Sequence, residues 1–327
     1  MSTLLLLEGR DLTVTYPRGT GFWRRGGTTT ALKGASFTLQ AGESLAVVGE
    51  SGSGKSTLAR AVLRLVPLAG GQVLLQGEDL AILTPQELRQ RRRILQMIFQ
   101  DPLASLDPRM RIEEILAQPL RVFEPSLTRR QRRGRAEAAL KSVGLEAAML
   151  ERYPHEFSGG QAQRIGIARA LIAGPAVLVC DEPVSALDVS IRAQVLELLD
   201  RARREQHVAL LFIAHDLSAV RFLCERTLVL FNGQVVEQGP TASLFAGACH
   251  PYTRALLAAA LVADPHRERR AATSAQGLGI AASPAPAAQG CPYATRCPQV
   301  EARCREVVPL PRHIGDVEVA CHRAGEI

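Results

Sequence analysis

Hydrophobic positions fall along this chain in three rhythms, and each change of rhythm marks a change of architecture. Across residues 4–48 apolar and polar residues alternate between Gly and Pro breaks, which predicts strands of an antiparallel layer. The opening stretch MSTLLLLEGRDL lacks a basic leader and a cleavage site, so it is expected to form the first strand rather than a signal peptide. Residues 44–48 are an apolar strand running into a Gly-rich turn, residues 56–65 have helical spacing, and residues 73–75 and 95–99 read as short strands. From Asp101 to about Pro154 the period lengthens, with Ile112, Ile115 and Leu116 and then Ala136, Leu140 and Val143 at helical spacing. This predicts an all-helical insert. Beyond it, strands (176–180, 209–214, 227–231) alternate with helices (191–205, 218–224), the mark of a parallel α/β sheet. Residues 264–290, rich in Ala, Arg, Ser and Pro, read as a linker, and the tail from Gly290 is Cys- and Pro-rich with little periodicity.

Composition narrows the class only slightly. Of 327 residues, 46% are hydrophobic and 22% charged, enough to bury a core without an unusual surface. The net charge of +7 admits nucleic acid, an anionic membrane or anionic ligands such as nucleotides. Basic runs at 91–93, 129–135, 201–204 and 267–270 are dispersed and not interleaved with aromatics, so they read as solvated helix faces and no nucleic-acid partner is expected. No apolar run reaches the roughly 18 residues that span a bilayer. A cytoplasmic location is therefore expected, with any membrane role exerted through a partner. No internal repeat is visible, so the chain holds one module.

Three motifs carry chemistry. Gly49-Glu50-Ser51-Gly52-Ser53-Gly54-Lys55-Ser56 matches G-x-x-x-x-G-K-[ST] and stands between a strand and a helix that continues through Thr57. Its glycines let backbone N–H groups turn inward around phosphate oxygens, and the helix N-terminus adds positive potential. Lys55 is expected at the β/γ-phosphates and Ser56 at Mg²⁺. The apolar strand ending in Asp181-Glu182 supplies a Mg²⁺-associated carboxylate and, one residue on, a candidate general base for the attacking water. Ser158-Gly159-Gly160-Gln161 opens a further helix and is a second phosphate-binding design. One chain thus has two phosphate elements but one lysine loop. A dimer, each nucleotide sandwiched between the loop of one chain and Ser158–Gln161 of the other, would explain this.

Together these motifs resemble the nucleotide-binding subunit of ABC transporters. The signature sequence appears as Phe157-Ser-Gly-Gly-Gln161, the Q-loop glutamine as Gln100, the D-loop as Ser185-Ala-Leu-Asp188 and the switch histidine as His215. The resemblance implies an α/β P-loop NTPase fold: a RecA-like parallel sheet core, an antiparallel β layer, an inserted helical subdomain and a small Cys-rich C-terminal extension. The implied division is an ATPase domain over 1–245, with the helical subdomain at about 101–160, and an extension over 246–327. Gln100 would sense Mg²⁺ or water and the transmembrane partner, His215 would contact the γ-phosphate, and Asp188 would act across the dimer interface. Tyr16 is the candidate to stack on adenine, with Phe22 and Trp23 as competitors.

A narrower resemblance rests on His250-Pro-Tyr-Thr253, the stretch from Phe99 to Pro108, the stretch from Asp181 to Ser190 and the Cys-rich tail. These are similar to ATP-binding proteins of dipeptide, oligopeptide and nickel importers. They imply an ATP- and Mg²⁺-dependent ATPase powering peptide import from the cytoplasmic face of the membrane. Its partners would be a second, identical or homologous ATPase subunit, two permease subunits and an extracytoplasmic substrate-binding protein. Nickel or other small-solute transport, and a soluble ABC ATPase in translation or DNA repair, are the alternatives. In the tail, Cys291, Cys297, Cys304 and Cys321 are four thiols whose chemistry suits a [4Fe–4S] cluster or zinc. Their spacing matches neither a zinc ribbon nor the ferredoxin run, and plain reduced thiols remain a third reading. The [4Fe–4S] site is the expectation.

Overall fold

In a computed structural model, residues 5–17, 27–261 and 289–326 are described. Phe22, Trp23 and almost all of the expected linker lie outside them.

Two sheets organise the chain. The first joins β1 (Leu5–Pro17), β2 (Thr28–Gln40), β4 (Gly70–Leu75) and β5 (Glu78–Asp79) in the order β2-β1-β4-β5, antiparallel throughout. The second contains β3 (Ser44–Val48), β6 (Leu95–Ile98), β7 (Val177–Asp181), β8 (Ala209–Ile213) and β9 (Arg226–Phe231), parallel in the order β9-β3-β8-β7-β6. So the N-terminal run of antiparallel strands stops before residue 44, and although β4 and β5 return to the antiparallel sheet, β3 belongs to the parallel core. Its composition explains this, because Ser44–Val48 is buried on both faces, as are β7 and β8. The strand period sorts the core into two clusters. Leu45 and Val47 face the antiparallel sheet and helix α1 (Lys55–Val62), while Ala46 and Val48 face the helical side.

Helix starts follow their caps. Thr84 caps α2 (Pro85–Arg91) in a reciprocal box with Glu87, and Thr128 caps α4 (Arg129–Ser142) with Gln131. With α3 (Ile112–Phe123), α4 forms the helical insert; Ile115, Leu116, Leu120, Ala136 and Leu140 are its buried face. Ser158 and Gln161 make the same box on α5 (Gly159–Leu171), and Asp188 caps α6 (Val189–Gln206). The basic runs at 129–135 and 201–204 have acidic partners: Arg133 pairs with Glu113, Glu137 and Glu151, and Arg203 with Asp200 and Glu225, while the run at 267–270 lies outside the described residues.

The tail is not a detached appendage. After α7 (Leu217–Leu223), β10 (Gln234–Pro240), α8 (Thr241–Gly247) and α9 (Pro251–Leu261), it forms the short helix α10 (Ala302–Glu306) and strands β11 (Arg312–Ile314) and β12 (Val317–Val319). Strand β12 pairs antiparallel with β10, which pairs with β9, so the tail extends the central sheet. Cys291, Tyr293, Ala294, Cys304 and Val317 join the helical-side core.

Candidate functional site

Strand β3 delivers the chain into the loop Gly49–Ser56, and α1 begins at Lys55. The loop turns this tightly because Gly49, Gly52 and Gly54 adopt φ of 153°, 79° and 108°. Space forbids other residues at two of them: a Cβ on Gly49 would lie 2.2 Å from the Leu230 carbonyl oxygen, and one on Gly54 2.6 Å from that of Ala31. Lys55 folds back inside the loop, its Nζ donating to the carbonyls of Gly49 at 2.8 Å and Glu50 at 2.9 Å. Burial pushes its pKa down, opposed by the charges of Glu182, Asp181 and Glu50.

Strand β7 brings Asp181 to the helix start, where the Ser56 hydroxyl donates to its Oδ1 at 3.1 Å. Burial raises the Asp181 pKa, and the Ser56 hydrogen bond pulls against it. The next residue breaks the strand. Glu182 sits at φ 47°, the left-handed region that costs a non-glycine residue about 1–2 kcal/mol, held by its N–H donating to Ile213 O at 3.0 Å. This turn aims the Glu182 carboxylate at the mouth of the loop. There Gln100 Nε2 donates to Glu182 Oε2 at 3.2 Å, and His215 Nδ1 lies 3.2 Å from the same oxygen. Three predicted residues from three separate strand ends therefore meet at one carboxylate.

Ser51, Gly52, Gly54, Lys55, Ser56, Thr57, Gln100, Glu182 and His215 line one open cleft. Ala31, from β2, lines it too, and no sequence signal marked it. Tyr16 does not line the cleft; it sits half-buried on β1 opposite Thr29, packed against the core of the antiparallel side. Ser158–Gln161 and Asp188 also lie outside the cleft of their own chain. Ser158 accepts from the Gln161 N–H at 3.3 Å while Gln161 Oε1 accepts from the Ser158 N–H at 3.1 Å. Asp188 accepts from Ile191 N–H at 2.9 Å, and that bond lowers its pKa. Both Ser158 and Asp188 are exposed.

The tail corrects one expectation. Cys291, Cys297, Cys304 and Cys321 do surround one cavity, together with His250 and His322. All are free thiols, and burial pushes Cys291 up to about 11 and raises Cys297 and Cys321. Among the described residues, however, no three His, Cys, Asp or Glu side chains are arranged to hold a metal ion. The [4Fe–4S] cluster and zinc are therefore unsupported by this arrangement: shared burial in the core gathers the cysteines, but not at ligand geometry. Among the described residues, no helix is long and apolar enough to cross a membrane.

Comparison with known proteins converges on this geometry. Residues 32–185 match the ABC transporter family, and residues 236–304 match the oligopeptide/dipeptide transporter C-terminal region. The oligopeptide transport ATP-binding protein OppF of Salmonella typhimurium is 48% identical over 94% of this chain and 92% of its own length. The di/tripeptide transport ATP-binding protein DppF of Pseudomonas aeruginosa is 43% identical over 98% of both chains. Among solved structures, a dimeric ATP-binding cassette in a post-hydrolysis state bound to ADP and Pi superposes with a TM-score of 0.65 at 28% identity, covering 72% of this chain and 99% of that one.

Proposed function

Because this chain belongs to the ATP-binding subunits of the oligopeptide/dipeptide branch of ABC transporters, we propose that its cleft is half of a composite ATPase site that drives peptide import. The chain is an ATP-hydrolysing motor of that family. The observation that carries the site assignment is the meeting of Gln100, Glu182 and His215 at the mouth of the Lys55 loop.

In this reading Lys55 exchanges its two backbone acceptors for phosphate oxygens of ATP. Ser56 and Asp181, already in contact, would hold Mg²⁺, which screens phosphate charge. Glu182 polarises the attacking water, with Gln100 and His215 fixing its carboxylate. Buried Lys55 faces the developing charge in a site of low dielectric, where its attraction is strengthened. Ser158, Gly159 and Asp188 stand exposed because the partner of Ser158–Gln161 and Asp188 is the nucleotide and surface of a second ATPase subunit, identical or homologous. Closure is favoured by ATP because only the closed dimer makes those phosphate contacts. Two permease subunits and an extracytoplasmic substrate-binding protein complete the assembly at the cytoplasmic face of the membrane. Tyr16 is the proposed adenine platform from the edge of β1. Four tail thiols supply donor chemistry for iron–sulfur or zinc but not the arrangement, so no step is assigned to either; iron content after anaerobic purification decides the matter.

The test is peptide uptake and ATP hydrolysis by the reconstituted transporter. Peptide-stimulated ATPase activity supports the reading; an assembly that hydrolyses ATP without moving peptides removes the substrate assignment.

A further inference from the structure

The first residue inside the phosphate loop is held from three sides, and two of the holds come from the C-terminal extension. The Glu50 carbonyl accepts from Lys55 Nζ, as described above. Its N–H donates to Tyr252 Oη at 2.8 Å, 202 residues away in sequence. Its carboxylate receives both terminal nitrogens of Arg296, at 2.7 and 2.8 Å, across 246 residues. This fork-on-fork pairing fixes orientation as well as distance.

Both extension residues are themselves immobilised. Tyr252 is 1% exposed and packs against Phe231, ring centroids 4.6 Å apart, and against Tyr293 at 5.4 Å. Arg296 lies over the Phe231 and Tyr293 rings, 5.7 Å from each centroid. It stands on a tight turn in which Arg296 N–H donates to Tyr293 O and Ala294 N–H to Cys291 O, while Cys291 N–H donates to Cys304 O. Phe231 ends β9, whose Leu230 carbonyl leaves no room for a Cβ on Gly49. A continuous packed column thus runs from the cysteine cavity through three aromatic rings to the loop. Nothing in the loop's own sequence calls for such a support.

We propose that Arg296 and Tyr252 are positioning residues for ATP: the extension holds the Glu50 peptide in its phosphate-receiving conformation and thereby sets nucleotide affinity. This rests on reading Gly49–Ser56 as the ATP loop. A preshaped loop spends no binding free energy on ordering, so releasing the clamp weakens binding. The loop still reaches the same bound geometry once filled, so turnover at saturation is preserved.

The experiment measures MgATP affinity of the full-length chain with a fluorescent ATP analogue, and KM and kcat for ATP in the assembled transporter. Arg296→Ala, Tyr252→Phe, Glu50→Ala and the double variant R296A/E50A are compared with wild type. Expected results are Kd and KM raised about fivefold in R296A and E50A, a double variant no weaker than the weaker single, and kcat within twofold in R296A. Tyr252→Phe keeps the ring packing and removes only the acceptor, so it raises Kd with little change in melting temperature. The two single alanine variants shift the charge near the phosphates in opposite directions. If R296A weakens binding while E50A tightens it, the pair acts only through charge and the positioning proposal is overturned. Wild-type affinity in R296A overturns it also. A wild-type chain that fails to bind MgATP overturns instead the reading of the loop.

Discussion

Replacing Glu182 by Gln removes one proton acceptor and almost nothing else. The side chain keeps its volume, the backbone keeps φ 47°, and the N–H still donates to Ile213 O. The amide can also still accept from Gln100. What disappears is the carboxylate charge at the mouth of the loop. A positioned general base contributes about 10²–10⁴ in rate, so the barrier should rise by roughly 3–5.5 kcal/mol. Lys55 and Ser56 are untouched, so ATP binding and ATP-driven dimerisation are retained. Phosphate release by the assembled transporter, read beside size-exclusion profiles with and without ATP, separates the two. The expected result is turnover reduced at least about a hundredfold with a persistent ATP-bound dimer. Hydrolysis within tenfold of wild type would show that another group activates the water and would refute the role derived from the contacts of Glu182.

Glu182→Gly should also stop hydrolysis yet stabilise the fold by up to about 1 kcal/mol, because glycine accepts positive φ without strain; calorimetry showing a lower melting temperature contradicts this. Ser158→Ala removes a reciprocal cap and should cost about 1 kcal/mol of stability. Its ATPase rate should fall further than the lost stability alone accounts for, and retained wild-type turnover would leave Ser158 as a cap only. Burial lowers the His250 pKa from 6.5 to about 4, so between those values the unfolded chain binds a proton that the folded chain does not. Stability from this source is complete above pH 6.5 and is lost as pH falls towards 4, by up to about 3 kcal/mol. Melting curves of wild type and His250→Gln across that range should converge in acid; parallel curves would show that His250 is not the group involved.

The motor was legible in the sequence because its chemistry is local. Gly49–Ser56, Asp181-Glu182 and Phe157–Gln161 each carry their meaning within a few residues, and the strand–turn–helix setting supplies the rest. The parallel core was legible through its apolar strands, although β3 was grouped with the antiparallel layer because it follows β2 closely and only its two-faced burial separates them. The tail was not legible. Strands β11 and β12 are three residues each, too short to show a period, and what fixes them is the pairing of β12 with β10 and of β11 with β12. Nor does cysteine spacing specify geometry: the four thiols share a cavity without the approach a metal demands. Arg296 and Glu50 are separated by 246 residues, so no local pattern connects them.

That separation has a consequence for the order in which the protein is made. The phosphate loop leaves the ribosome early, but the arginine that grips it follows 246 residues later, about 12 to 50 seconds at ordinary elongation rates. Strand β12, which closes the sheet edge beyond β10, comes later still. Until Arg296 is made the nascent chain has a nucleotide loop without its last support. Completion of translation is thus written into the shape of the ATP site, and a chain cut short before residue 289 carries every motif of the motor, and Tyr252, with the Glu50 carboxylate ungripped.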